Sequence, residues 1–516
     1  MQALFPTRIV ILFSILAGVW GCVTNPVTGK NELGFISTEA QIDIGRKNYI
    51  PAQQMQGGQY KVDADLSEYV TSVGKKLATH SGIDLPYEFV VLNNSVPNAW
   101  AMPGGKIAVN RGLLTELTNE AELAAVIGHE ITHAAARHGA QGIERGVLLQ
   151  GAMIAAAIGT RNQEYAGAML GGAQLAAGLV TQKFGRDAER ESDYYGTQFM
   201  AKAGYDPEAA VTLQKMFVRL SDGKRSDWLQ GLFASHPASQ ERVENNRARV
   251  AELRAQGYTG GELGADRYQR AIARIRQDAP AYAAYDSARK ALQEKSVDAA
   301  LKEVDKAIAL QPNEAQFYGL KGDIRRLQDK HADAVRLYGQ AIQRDDAFFS
   351  YLLGRGVSRA ELKQRAPAKE DFTASLKLLP TAVAYNELGK IAEADGNQDE
   401  AVRYYAAASK ARDQTGQTAL ASLLRLDLPR QPARYVKSEL INDGSGKLFL
   451  RVSNGTPAAL SGVQVRVALR WAAAGDETFT VDVPALPAGQ AVVREIPLRK
   501  DSLVAGEATT VAAHTR

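Results

Sequence analysis

A repeat in the C-terminal half constrains this chain more than any other feature. Ala300, Ala334, Ala368 and Ala401 recur at intervals of about 34 residues, and Val304, Tyr338, Phe372 and Tyr405 follow them four positions later. Ala307, Ala341, Ser375 and Ala408 come three further on, while Ala288, Gly322, Gly356 and Gly389 mark a corresponding small-residue position. Small and large apolar residues in a shared helical register describe helix pairs that meet at close contacts. One such pair cannot bury its apolar face alone, so the units must stack into an array. Pro312 and Pro380 close two of the units.

This spacing is the tetratricopeptide (TPR) period. Four helix-turn-helix units are expected over residues 281–414, preceded by a helical linker at 256–280. An α-solenoid of this kind offers a concave surface to peptides or partner proteins. After Pro429 the period switches to two. Val463, Val465, Val467, Leu469 and Trp471 alternate with Gln464, Arg466 and Arg470. Residues 433–516 are therefore expected to form a small β-sandwich, read as an interaction or spacer module because no catalytic constellation falls in it.

At the other end, Arg8 precedes the apolar run IVILFSILAGVW, then Gly21 and Cys22. The run is too short to span a bilayer comfortably and has the layout of a secretory signal. Its ending resembles a bacterial lipoprotein signal, which implies removal of residues 1–21 and lipidation of Cys22. Val23 stands where an aspartate would signal inner-membrane retention, so the resemblance implies the periplasmic side of the outer membrane. Cys22 is the one cysteine, which excludes an intrachain disulfide. Net charge is +4, too mild to suggest nucleic acid as a partner.

Between these regions lies AELAAVIGHEITHAAARHG, Ala121 to Gly139. Leu123, Val126, Ile127 and Ile131 have helical spacing. On such a helix His129 and His133 are one turn apart and face one ion. Glu130 lies between them, within reach of a water. This is HExxH: two zinc ligands and a general base. A third ligand must come from elsewhere. In FGRDAERESDYYG, Glu189 and Asp193 are one helical turn apart, so Glu189 is a candidate ligand. Asp193, on the same face, is a candidate acceptor for a ligating imidazole. Glu191 is the rival ligand, on a different face from Asp193. Before the metal helix, Lys106, Ile107, Ala108, Val109 and Asn110 follow a Pro-Gly-Gly turn and read as a strand. An exposed edge there would bind extended substrate through its backbone. Residues 139–185 are rich in Ala, Gly and Met. They are expected to form a closely packed helical hairpin, or one resting on the bilayer or covering the site.

Taken together, HEITHAAARHG, ERESDYYG, NAWAMPGGKIAVNRGLL, SHPASQERV and NPVTGKNELGFIS resemble the HtpX/BepA-like zinc metallopeptidases, relatives of the CAAX prenyl proteases. The resemblance covers roughly residues 22–250. It implies one zinc ion held by His129, His133 and Glu189, with Glu130 as base and Asp193 behind the ligands. It also places His236 and Arg242 near the metal, as candidates to stabilise the oxyanion. His138 is read as structural or supporting. The expected architecture is multidomain: a mainly α (α+β) zincin-type metallopeptidase domain at 22–255, then the TPR array and the β-sandwich. The expected function is that of a membrane-anchored periplasmic zinc endopeptidase acting on unfolded or stalled envelope and outer-membrane proteins. Its repeats would recruit substrate or an assembly-machinery partner. The alternative is an assembly chaperone with structural zinc and little turnover. Glu130 favours the enzyme, since a structural site has no use for that carboxylate.

Overall fold

Two short strands, β1 (Gly21–Thr24) and β2 (Asn31–Gly34), pair antiparallel at the start of the described chain. The structure is a computed structural model that describes residues 21–147, 178–179, 183–222, 236–443, 447–472, 475–497 and 503–515. The expected signal segment up to residue 20 and most of the Ala/Gly-rich hairpin, 148–177, lie outside the described residues. No helix among the described residues is long and apolar enough to cross a membrane.

Helices α1 (Thr38–Met55) and α2 (Ala64–Ala78) start on side-chain caps, Ser37 accepting from the Ala40 N–H and Asp63 from the Leu66 N–H. A three-stranded sheet follows: β3 (Glu88–Leu92), β4 (Ala99–Met102) and β5 (Lys106–Asn110), in the order β3-β5-β4. Gly104 and Gly105 turn β4 into β5 at φ values of 77° and 82°. A Cβ at Gly104 would also meet the Ile42 Cα at 2.6 Å, so two constraints call for glycine there.

This topology corrects one expectation. Lys106–Asn110 is the central strand, not an edge. It pairs parallel with β3 (Phe89 opposite Ile107) and antiparallel with β4 (Ala101 opposite Ile107). All five residues are buried, and the Lys106 ammonium pairs with Glu88. Both backbone edges are consumed by neighbouring strands, leaving none for an extended peptide. Among the described residues β4 pairs with β5 alone.

A short helix, α3 (Arg111–Glu116), leads into α4 (Glu120–Ala135), the HExxH helix, capped by Asn119 accepting from the Glu122 N–H. Every residue of α4 is buried. Leu123, Ile127 and Ile131 sit at 0% exposure in the principal core, each contributing on the order of 1.5–3 kcal/mol. After α4 the chain turns at Arg137, left-handed at φ 63°, and is helical again over 138–147. Helices α5 (Arg186–Lys202), α6 (Glu208–Asp222) and α7 (Gln240–Ala255) complete this part. Close approach of α4 and α5 depends on two glycines. A Cβ at Gly128 would meet the Gly196 carbonyl oxygen at 2.8 Å, and one at Gly196 would meet the His129 nitrogen at 2.7 Å.

The chain divides into two compact units. The first runs to Ser358 with Lys377–Leu379 added. Besides the elements above it holds α8 (Ala265–Ala271), α9 (Ala273–Gln277) and the packed pairs α10 (Ala279–Gln293) with α11 (Val297–Leu310) and α12 (Ala315–Leu327) with α13 (His331–Arg344). Most of α14 (Phe349–Glu361) also belongs to it. Inside this unit, buried Glu314 accepts from Asn93 Nδ2 (2.9 Å) and the Tyr282 hydroxyl (2.6 Å), and the Arg111 guanidinium lies 3.4 Å above the Tyr282 ring. These contacts join the first repeat helices to the small sheet.

The second unit comprises Arg359–Leu376 and Pro380–Arg516. It holds α15 (Arg365–Leu378) apart from its last two residues, α16 (Ala382–Ala394), α17 (Gln398–Ala408), α18 (Gln414–Asp427) and the short α19 (Pro432–Tyr435). Two antiparallel three-stranded sheets follow. One is ordered β10 (Ala491–Ile496), β7 (Leu448–Asn454), β6 (Val436–Asn442). The other is ordered β11 (Leu503–Thr515), β8 (Leu460–Trp471), β9 (Gly475–Leu486). The alternating positions Val463, Val465, Val467, Leu469 and Trp471 all point into one core with Leu450, Val452 and Ile496. The result is a small sandwich. The whole is thus multidomain and mainly helical, with small C-terminal sheets.

Candidate active site

On α4 the one-turn spacing brings the Nε2 atoms of His129 and His133 to 3.0 Å from each other. From α5, Glu189 approaches both: its Oε2 lies 3.5 Å from His129 Nε2 and its Oε1 3.4 Å from His133 Nε2. His236, just ahead of α7, places Nδ1 2.9 Å from Glu189 Oε1 and 3.3 Å from His129 Nε2. One ligand atom from each of these four buried residues lies within 4.8 Å of the others.

The hydrogen bonds behind the ligands assign their tautomers. His129 Nδ1 stands 2.9 Å from Asp193 Oδ1. Burial opposes ionisation of Asp193, but the charge of Arg242 and its bonds hold the carboxyl below its ordinary value. An ionised carboxylate only accepts, so His129 carries a proton on Nδ1 and turns Nε2 toward the cluster. Burial also holds His133 well below the usual imidazole range, so it is neutral. Its Nδ1 faces His138 Nδ1 at 2.9 Å, which leaves Nε2 directed into the cluster. Burial pushes Glu189 up, yet the charges of His236 and His129 hold it well below the ordinary carboxylate value. Two ring nitrogens 3.0 Å apart, both turned toward an anionic carboxylate, form a donor set that a cation can join. The site therefore fits a divalent metal ion with mixed nitrogen and oxygen ligands.

Glu130 lies beside this cluster. It is 2% exposed, its Oε2 has no hydrogen-bond partner, and burial raises its carboxyl pKa against the opposing charges of His236 and His129. Its Oε1 is 3.6 Å from His236 Nε2, which is also unpartnered. A cavity of about 30 Å³, lined in part by Glu130, His129, His236, Leu213 and Phe217, adjoins the carboxylate. That is room for two or three water molecules, at roughly 10–15 Å³ each on this measure.

Residues 64–250, spanning all of these groups, match the model of peptidase family M48. They are an M48 domain. The chain is similar to the beta-barrel assembly-enhancing protease of Escherichia coli (strain K12), 27% identical over 321 residues that cover 55% of this chain and 65% of that protein. It is also similar to the mitochondrial metalloendopeptidase OMA1 of Schizosaccharomyces pombe, 37% identical over 179 residues that cover 34% of this chain and 50% of that one. Among solved structures, MamA matches 33% of this chain and 95% of its own at 18% identity, with a TM-score of 0.25. The chain thus spans about 65% of the length of the Escherichia coli protein.

Within the M48 domain the structure brings together His129, Glu130, His133, Glu189, Asp193, His236 and Arg242. It leaves Lys106–Asn110 in the middle of the sheet. Arg242 differs from its expected part as an oxyanion donor. Its Nε and Nη2 both bond Asp193 at 2.7 Å, and Nη1 reaches the Pro237 carbonyl (3.1 Å) and Glu189 (2.9 Å). Its nitrogens are taken up by Asp193, the Pro237 carbonyl and the ligand Glu189, so it is placed to orient Asp193 and Glu189 instead. Glu191 points away from the cluster, toward His138 and Lys30. Sequence reasoning overlooked Phe184, whose ring stacks on His133 at 4.0 Å between centroids. It also overlooked the paired glycines. Gly128 immediately before HExxH and Gly196 closing SDYYG were a visible signal for close helix contact.

Proposed function

We propose that this chain is a zinc endopeptidase, lipid-anchored through Cys22 at the periplasmic face of the outer membrane, that cleaves unfolded or misassembled envelope proteins. The observation that carries the chemistry is the convergence of His129, His133 and Glu189 beside a buried carboxylate, Glu130, with a free oxygen. His129, His133 and Glu189 would hold the ion, with His236 Nδ1 close enough to join them. Bound zinc supplies Lewis acidity, polarising a peptide carbonyl and acidifying water in the pocket. Glu130 takes the proton of the attacking water. Burial makes it a stronger base than an ordinary carboxylate, and it returns the proton to the leaving amine. His236 Nε2, unpartnered beside Glu130, donates to the developing oxyanion. Asp193 and Arg242 keep His129 and Glu189 in place.

The substrate class is drawn from the name of the Escherichia coli relative, which describes enhancement of β-barrel assembly. The TPR helices recruit substrate or an assembly partner and take no part in bond cleavage. The test is incubation of an unfolded outer-membrane β-barrel protein with wild type, chelator-treated protein and Glu130→Gln. Cleavage should require both metal and Glu130, and Glu130→Gln should retain one zinc per chain. Wild-type turnover by Glu130→Gln overturns the mechanism. Mass spectrometry of the mature N-terminus tests the anchor, and an unmodified Cys22 refutes it.

A further inference from the structure

Neither the NPVTGK stretch after Cys22 nor His138 takes part in the chemistry above, yet the two are linked through Glu191 behind the metal cluster. Arg137, left-handed at φ 63°, folds His138 back over α4. Its Nδ1 then lies 2.9 Å from His133 Nδ1, and its Nε2 lies 3.3 Å from Glu191 Oε2. Glu191 Oε1 in turn bonds Lys30 Nζ at 3.1 Å. His133 and His138 are both 1% exposed. The carboxylate at the end of this chain only accepts, so His138 carries its proton on Nε2 and presents a lone pair from Nδ1. His133 Nδ1 must then donate, and His133 Nε2 is left bare toward the cluster. Without that acceptor, the Glu189 carboxylate, 3.4 Å from His133 Nε2, favours the tautomer protonated there, which cannot bind metal through that atom.

The hairpin holds the turn that carries His138. Asn25 Nδ2 donates to the Ala136 carbonyl (3.2 Å) at the end of α4, which Gln141 Nε2 also reaches (3.3 Å). The Asn25 Oδ1 accepts from the N–H groups of Val27 (3.0 Å) and Thr28 (3.2 Å), and Gly29 at φ 71° closes the loop so that Lys30 faces Glu191. Just beyond β2, the Ile36 carbonyl accepts from Arg137 Nη2 at 2.9 Å, and Glu144 Oε1 takes the N–H groups of Phe35 and Ile36, both at 2.8 Å. The stretch between the expected anchor and α1 is thus bonded to residues on either side of His138: the Ala136 carbonyl and the Arg137 side chain before it, and the Glu144 side chain after it.

We propose that His138 and Glu191 are positioning residues that hold His133 in its metal-binding tautomer, and that the Asn25–Lys30 hairpin clamps the turn that carries His138. This rests on the zinc-peptidase reading. It explains why a segment that need only be a tether carries a defined, bonded conformation.

The test is zinc affinity of the full-length protein, measured by competition with a chromophoric chelator, together with the visible spectrum of the cobalt-substituted protein. His138→Leu keeps much of the volume and removes the acceptor. Zinc affinity should fall by roughly 10–100-fold, and the cobalt spectrum should change. His138→Gln offers an amide oxygen to His133 Nδ1 and should recover most of both. Glu191→Ala should weaken zinc in the same direction, and because Glu191 is less buried than His138 it decides the matter if His138→Leu does not fold. Asn25→Ala and Lys30→Ala should each weaken zinc several-fold. Wild-type affinity and spectrum in His138→Leu or Glu191→Ala overturn the positioning role, as does a His138→Gln protein as weak as His138→Leu. Wild-type affinity in both Asn25→Ala and Lys30→Ala overturns the clamp. A wild-type protein that binds no zinc overturns this proposal and the peptidase reading together, whereas zinc-replete variants overturn this one alone.

Discussion

Replacing Gly196 by alanine tests how the two ligand-bearing helices are brought together. The added Cβ falls 2.7 Å from the His129 nitrogen and 2.8 Å from the Gly128 carbonyl carbon, whereas ordinary contact begins at 3.4 Å. Both obstacles are backbone, so no rotamer change relieves them, and α4 and α5 must part by about 0.6–0.7 Å on that difference. Overpacking of this kind costs about 1–3 kcal/mol, while alanine in place of a mid-helix glycine returns about 1 kcal/mol. The net loss of stability is therefore small, about 2 kcal/mol at most. The metal site is the more sensitive reporter. Glu189 lies two turns before Gly196 on the same face of α5, so it moves outward with the helix, by more than the ~0.2 Å that ligand distances tolerate. Zinc affinity should fall on the order of 10–100-fold, with the metal-free melting temperature only slightly lowered. Gly339→Ala, in α13 with open space at its Cβ, is the control and should be neutral or stabilising. Competition titration and thermal melting read both quantities. Wild-type affinity in folded Gly196→Ala would refute the claim that this glycine contact sets the ligand geometry.

Three further outcomes follow from other parts of the molecule. Arg242→Met leaves Asp193 buried without its cation, so the unit should lose about 3–5 kcal/mol in denaturant unfolding; a loss under about 1 kcal/mol contradicts the buried fork. Ile107→Pro removes a ladder donor from a strand paired on both sides, so it should abolish cooperative folding of the unit by circular dichroism, and a native-like melt would return Lys106–Asn110 to an edge. Burial pushes the Glu314 carboxyl up, against the bonds from Tyr282, the Gln316 N–H and Asn93. The folded state thus holds this proton to higher pH than the unfolded chain. Its contribution is present below the unfolded value and lost as pH rises through the folded one. Urea midpoints between about pH 4 and 7 should show that slope in wild type and not in Glu314→Gln; parallel slopes in the two count against it.

Much of the fold was legible because its signals are local. His129 and His133 share a face by helix geometry alone, whatever α4 packs against. The recurrence of Ala300, Ala334, Ala368 and Ala401 announces stacked helix pairs, because a short unit with one apolar face has few other ways to bury it. The alternation from Val463 to Trp471 likewise carries its own inward face into the sandwich.

Other features depended on pairings between distant segments. KIAVN reads the same as a central or an edge strand, since a short apolar run does not say how many neighbours it has; β3 and β4 decided that. Arg242 has a charge suited to an oxyanion or to a carboxylate, and the approach of α5 to α7 gave it Asp193. Nothing within HExxH reveals that His138 returns over His133, because that requires the left-handed Arg137 turn and a hairpin from more than a hundred residues upstream. The sequence alone determined which side chains each helix and strand presents. Which of them meet was decided only by the tertiary structure, through close approaches such as Gly128 against Gly196, where the absence of two methyl groups lets Glu189 reach both histidines.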